Sequence, residues 1–374
     1  MYPVRFERSK AKRRWLFLAL MAMILLFTGG CNFTEGSEEE KGTTEEKGTT
    51  VSPLDGSNNI ACGGLSVTQN DTIYYIGEGE QGGEAIYSMD LSGENFRTVY
   101  TPERYLNQLC NLNLYDNRLY FCETVINDDF GQDEMQLNAL DLSDFSVEKV
   151  YSSALMLSSI YFYKDHVYFG ETRLTTSQAD FEADSLSDYQ LKVMDADGEN
   201  LTTLLNYYNV FLVYDDRIYY RADKGLSRCN LEGKKKEFLY RDDNGIAGLQ
   251  VVDGKLYFME YRNERAPYFM SMDLDGGNPQ RVFKDEFPGG AYMANARDHQ
   301  IFLGTDEYVS PWQFNTMLMT INLDGSGKGV VVSTEDDVAP GLVSADWCIS
   351  GDWLFYAESD GHNGRVLYKE PWPK

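Results

Sequence analysis

Histidine is nearly absent from this chain: there are three in 374 residues, His166, His299 and His362. Ser-His-Asp triads and His-based metal centres need imidazoles close to other reactive groups. His166 and His299 fall in expected hairpin turns far apart along the repeat, so no catalytic residue is assigned. Cysteine is scarce and irregularly spaced. After Cys31 come Cys62, Cys110, Cys122, Cys229 and Cys348, with no Cys-x-x-Cys pair, which argues against a zinc site and a regular disulfide framework. They read as small buried hydrophobes, with Cys110 and Cys122 placed to face each other across a hairpin. No sustained helical period follows the first 30 residues. Positive charge is short as well. Against 59 Asp and Glu stand only 33 Lys and Arg, a net charge of −26 that repels nucleic-acid phosphate and sets that partner class aside. No cofactor and no metal ion is expected.

What basic charge there is gathers at the start. Residues 1–14 hold Arg5, Arg8, Lys10, Lys12, Arg13 and Arg14 against Glu7 alone, followed by the apolar run Trp15 to Phe27 and then Thr28-Gly29-Gly30-Cys31. A basic head, a short apolar stretch and small residues before a break describe a secretory signal, and the run is shorter than the roughly 20 residues of a bilayer span. The order basic, apolar, small-small-Cys resembles a bacterial lipoprotein signal, although Thr28 stands where that pattern has an aliphatic residue. The resemblance implies cleavage after residue 30, lipidation of Cys31 and an extracytoplasmic protein held to the cell membrane by that anchor alone. Cleavage takes the net charge from −26 to −31.

Residues 32–53 read NFTEGSEEEKGTTEEKGTTVSP, with EEKGTT nearly repeated. Such polar, acidic sequence cannot bury a core and is expected to act as a disordered tether. The domain reading is therefore a signal peptide over 1–30, an acidic linker over 31–48 and a folded head over 49–374.

The head is a repeat. An apolar-aromatic-aromatic triplet recurs as Ile73-Tyr74-Tyr75, Leu119-Tyr120-Phe121, Val167-Tyr168-Phe169, Ile218-Tyr219-Tyr220 and Leu256-Tyr257-Phe258, with the variants Ile301-Phe302-Leu303 and Leu354-Phe355-Tyr356; successive starts lie 46, 48, 51, 38, 45 and 53 residues apart. Turn residues such as Asp116-Asn117, Asp215-Asp216 and Asp253-Gly254 precede the triplets, and a second turn follows a third strand, as in MDLSG at 89–93 and MDLDG at 272–276. Strand, tight turn, aromatic strand, variable loop, strand, Asp/Gly turn, strand is one four-stranded propeller blade. The expected fold is all-β: a β-propeller of antiparallel blades, seven by this count, with six as the alternative. The seventh unit ends early, at Arg365 to Glu370. The segment Thr50 to Pro53 is expected to supply its outer strand.

Over residues 60–370 the repeat resembles bacterial surface-lipoprotein propellers described as similar to the low-density-lipoprotein-receptor-related propeller. That family centres on Tyr-Trp-Thr-Asp strands and six blades. Here Tyr, Phe or Ile replace the Trp and Thr, so no ligand surface is carried over. The resemblance implies the propeller fold and a cell-surface setting, without an assigned activity.

The Asp-rich turns at 195–200 and 273–278 hold too few carboxylates for a calcium loop and recur once per blade, as hairpin turns do. Long connections are expected on one face only, at Val125 to Gln136, Arg173 to Tyr189, Tyr261 to Pro267 and Asp306 to Gln313. The first two carry Asp128, Asp129, Asp133, Glu134, Asp180, Glu182 and Asp184, and the last carries Tyr308 and Trp312. Function sits on such loops when a rigid scaffold carries them. Tyr308 and Trp312 are the candidate binding residues, for an extracytoplasmic protein or glycan. The expected function is a monomeric, non-catalytic binding module. The alternative is a carbohydrate-active hydrolase or lyase using carboxylates near the propeller channel.

Overall fold

Paired turn residues with positive φ shape the first hairpin of blades one to five. Asp116 and Asn117 sit at 46° and 60°, and Asp215 and Asp216 at 47° and 56°. These are two-residue turns whose twist matches antiparallel strands, and Asn, Asp and Gly tolerate them best. The computed structural model describes residues 30–32, 64–80, 82–126, 134–172, 189–207, 210–242, 245–262, 265–282, 290–297, 300–310, 313–333, 347–359 and 365–371. All of its named elements are strands.

The strands form seven antiparallel sheets in chain order, over 66–100, 108–153, 156–206, 211–241, 246–281, 290–333 and 347–371. The first six each have a four-stranded meander, to which the fifth adds Gly30–Asn32 as a parallel fifth strand, and the seventh has three strands. Each inner strand neighbours the inner strand of the next sheet, and that of the seventh (Trp347–Ser350) neighbours that of the first (Ser66–Gln69). The sheets are therefore blades of a closed seven-bladed propeller, which settles the count. The third strand of blade seven, Arg365–Pro371, ends the described chain. The proposed closing segment at Thr50 to Pro53 lies outside the described residues.

The triplets form the second strand of each blade, and in the first five blades all three residues are buried. That strand is covered on both faces because neighbouring blades sandwich it, so its apolar run is continuous. In blade two, Tyr120 packs on Phe162 of blade three with ring centroids 4.4 Å apart. The next residue, Phe121, turns the other way, onto Tyr100 of blade one at 4.7 Å. Alternation along one strand thus serves two interfaces.

Between blades seven and one, the Trp353 indole N–H donates to the Leu91 carbonyl (2.9 Å) and Ser66 Oγ bonds with Ser350 Oγ (2.7 Å). Cys110 and Cys122 are direct partners across their hairpin, as the spacing predicts. Both are buried thiols outside any disulfide, as are Cys229 and Cys348. Contact with Cys110 and burial push the Cys122 thiol well above its ordinary range.

Candidate functional site

None of the seven inner strands carries an Asp or Glu. Their buried polar residues are neutral: Ser66, Asn111, Asn113, Ser158, Ser159 and Gln250 among them. The Gln250 amide is fully buried with neither polar atom bonded. Beside it runs the short strand Gly30–Asn32, parallel to the inner strand of blade five (Ile246–Val252), with Cys31 opposite Gln250.

The nearest regular carboxylates lie one strand further out. Two residues after the triplet in blades two, three and five stand Glu123, Glu171 and Glu260, each buried. Glu123 accepts from the Tyr100 hydroxyl (2.6 Å), Asn107 Nδ2 (2.6 Å) and Asn138 Nδ2 (3.3 Å). Its donors are therefore a tyrosine from the preceding blade and two amides. Glu171 accepts from the Tyr151 hydroxyl at 2.9 Å and is paired with the Lys192 ammonium. Burial alone would raise the Glu171 carboxyl, but Lys192, Ser153 and Tyr151 together hold it below the usual range. Burial first, then Glu171, pushes the Tyr151 phenol up to about 12. These pairs bolt the outer strand of one blade to the second strand of the next. These pairs are not foreseen from the sequence; their trace is a Tyr in the outer strand followed, two residues past the next triplet, by a Glu, and it shows only once the blades are in place.

The strand ends nearest these glutamates lead into the elaborated face. The expected loops there divide into two kinds. The connections around 127–133 and 173–188 lie outside the described residues, and with them every named acidic candidate except Glu134. Glu134 begins the third strand of blade two (Glu134–Asp141), 3.8 Å from Lys149 Nζ. The other two are corrected by the structure. Strands Lys255–Arg262 and Arg265–Asp273 run almost to their turn, as do Gln300–Ser310 and Gln313–Asn322. Tyr308 is therefore a strand residue, paired with Phe314 near the tip of a long hairpin. That hairpin's first strand has 11 residues against 8 in blade two, an extra reach of roughly 10 Å at about 3.3 Å per residue. Trp312 lies outside the described residues.

On the opposite face the acidic turns use their own carboxylates. Asp90 accepts from Ser92 Oγ (2.6 Å), the Glu94 amide (2.9 Å) and Asn95 Nδ2 (2.8 Å), and Asp273 and Asp195 each accept from an Asn five residues on, at 2.6 Å. Hydrogen bonds from Ser92 hold the Asp90 carboxyl below its ordinary value. His166 sits on this face too, its Nε2 3.4 Å from Asp195; His299 and His362 lie outside the described residues. Among the described residues, no three His, Cys, Asp or Glu groups come together to hold a metal.

No family model and no curated protein matches the chain. Solved structures do. An oligogalacturonate lyase in complex with manganese matches at 15% identity and a TM-score of 0.52, over 81% of this chain and 86% of that one. An oligogalacturonate lyase from Vibrio parahaemolyticus matches at 9% and 0.53, over 83% and 87%. The β-propeller domain of the Trilobed protease from Pyrococcus furiosus, which has an open velcro topology, matches at 10% and 0.51, over 82% and 93%. At these identities the likeness establishes the propeller fold. The receptor-related family finds no support in it. It also overturns the inference that scarce histidine and a bare propeller mean a non-catalytic binding module, because two chains spanned almost whole by this architecture are lyases.

Proposed function

We propose that this protein is an extracytoplasmic carbohydrate-active propeller, a hydrolase or lyase that cleaves glycans on its elaborated face. The observation that carries the reading is coverage: 86% and 87% of the two lyases correspond to this propeller, so in them little chain is left to hold chemistry outside it. Carboxylates supply the reactive groups. Both cleavage by a paired acid and base and abstraction of a sugar C–H proton need them at fixed separation. The inner strands offer none, so the acidic connections of blades two and three are assigned the role, through Asp128, Asp129, Asp133, Glu134, Asp180, Glu182 and Asp184. The strands that lead into these connections are tied to the preceding blades by the Tyr100–Glu123 and Tyr151–Glu171 bonds.

The charge balance disfavours a long polyuronate, so hydrolysis would act on neutral or cationic glycans, and elimination, which needs a uronate carboxyl beside the abstracted C–H, on short uronate-containing oligosaccharides. A surface with a net charge of −26 repels a polyanion, most strongly at low salt. Tyr308 and Trp312 supply apolar faces for sugar rings. The manganese named for the lyase belongs to that protein, and no step here is routed through a metal.

Lipidation of Cys31 is part of the same proposal. It requires the segment Gly30–Asn32 to leave the inner strand of blade five, because an acylated cysteine sits at the membrane.

The test is incubation of the whole chain with neutral, basic and uronate-containing oligosaccharides, scored for new reducing ends. Turnover of any of them supports the reading. A flat signal across all three classes, from protein with its native circular dichroism, would refute it.

A further inference from the structure

The seam between blades seven and one is built unlike its counterparts. At three other seams an outer-strand tyrosine lies on the third aromatic of the next blade's triplet: Tyr100 on Phe121 (4.7 Å), Tyr151 on Phe169 (5.3 Å) and Tyr240 on Phe258 (5.2 Å). In blade one that third aromatic is Tyr75, and Gly77 stands where the following glutamate would be. Over Tyr75 lies the Lys369 ammonium, from the third strand of blade seven, 5.0 Å from the ring centroid and 3.0 Å from the phenol oxygen. Beside it opens a cavity of about 350 Å³ lined by Tyr75, Ile76, Gly77, Glu78, Tyr87, Phe96 and Lys369.

Three features of this cavity point to a ligand. The first is Lys369 itself. Its ammonium also lies 5.2 Å from the Phe96 ring, 5.9 Å from Trp353 and 3.4 Å from Met89 Sδ, and among the described residues no carboxylate pairs with it. In a chain with 59 acidic residues, this ammonium is bonded to a neutral phenol and a thioether rather than a carboxylate, which leaves its charge for an anion. The residue is exposed overall, but partial desolvation of its ammonium by these groups lowers its pKa. The second is the wall: Tyr87 and Phe96 stack at 4.8 Å with 23° between planes, and Phe96 is 56% exposed. A large exposed ring is not demanded by packing, and a flat apolar ligand would cover it. The third is Gly77. A Cβ there would stand 3.0 Å from the Tyr87 ring, so glycine lets that wall stand close without filling the cavity.

We propose that this seam cavity binds a small organic acid, a carboxylate carried on a ring, with Lys369 taking the carboxylate and Phe96 and Tyr87 taking the ring face. The site lies between blades seven and one and does not rest on the carbohydrate reading. Glu78 lines the cavity as well, so the acid must seat its carboxylate on the Lys369 side, where the ammonium is the adjacent charge; screening limits repulsion from acidic groups beyond about 8 Å at physiological salt.

Calorimetric titration of the whole chain tests this with galacturonate, benzoate, galactose and inorganic sulfate. Saturable binding of galacturonate or benzoate supports the proposal, and which of the two binds more tightly assigns the ring as sugar or arene. Galactose, the uncharged counterpart of the sugar acid, should not bind measurably. Lys369→Met should weaken the acid about tenfold or more, the scale of losing one charge-assisted contact. Lys369→Arg should retain most of the binding. Phe96→Ala, at an exposed ring, should weaken it several-fold with an unchanged thermal midpoint, and it serves if Lys369→Met does not fold. Absence of binding by both acids would overturn the proposal, as would wild-type affinity in Phe96→Ala. Sulfate bound as tightly as the acids would overturn the ring half of it.

Discussion

The Tyr100 hydroxyl of blade one donates to the Glu123 carboxylate of blade two across 2.6 Å, in a site where Glu123 is 4% exposed and Tyr100 also packs on Phe121. Two strands from different blades are thereby joined by one part-buried charge-assisted bond. Removing the donor leaves the carboxylate with two amide partners. Tyr100→Phe should therefore cost about 1–3 kcal/mol, the range for an under-satisfied buried group. Glu123→Gln in the same background should couple to it in a double-mutant cycle of urea midpoints. Additive effects would show that the bond does not join the blades energetically.

Blade three repeats the arrangement with a cation added, and its pH behaviour follows. Glu171 has its folded pKa held below the unfolded value of 4.5. Its contribution is therefore fully present above that value and is lost as pH falls through the folded pKa. The wild-type urea midpoint should drop more between pH 5 and pH 3 than that of Glu171→Gln. Parallel acid profiles for the two proteins would contradict the pairing with Lys192 and Tyr151.

Ring closure can be tested at a single glycine. Gly93 in the outer turn of blade one has φ of +83°, and a Cβ on it would stand 2.3 Å from the Trp353 ring of blade seven. Gly93→Ala must strain the backbone or displace the ring whose N–H holds Leu91, and either should destabilise by about 1–3 kcal/mol. Hydrogen exchange should then rise first in blades one and seven. An unchanged melting curve would mean that the seam does not depend on this contact.

The repeat was legible because blade packing needs a strand apolar on both faces, and the triplets from Ile73 to Leu354 announce it. Turn chemistry was equally plain, since Asp116-Asn117 and its equivalents take a backbone that few residues accept. Other features were hidden for physical reasons. The glutamate bolts join residues about 20 apart on different blades, and an isolated Glu in a strand carries no local signature. Asp306 to Gln313 reads as a loop because Asp306, Glu307 and Ser310 are polar, yet a hairpin projecting beyond its neighbours has no core to bury. Lys369 looks like an ordinary strand lysine until blade one brings the rings of Tyr75 and Phe96 to it.

The anchor has its own test. Because the cysteine thiol is the acylation site of the lipoprotein pattern, Cys31→Ala should abolish incorporation of labelled fatty acid and move the protein out of the detergent phase. Each buried CH₂ contributes about 0.8 kcal/mol to membrane binding, so the change in partitioning should be large. Label retained by the variant would place the anchor elsewhere.

The central claim is that this propeller breaks glycosidic bonds, and product mass in ¹⁸O-water tests it most directly. The whole chain is incubated with a mixed oligosaccharide set and the shortened products are weighed. Hydrolysis places ¹⁸O at the new reducing end, while elimination yields an unlabelled product lighter by one water. The account predicts one of these two patterns, abolished by replacing the carboxylates among Asp128, Asp129, Asp133 and Glu134. Oligosaccharides recovered at their starting length, in ordinary and labelled water alike, would contradict it.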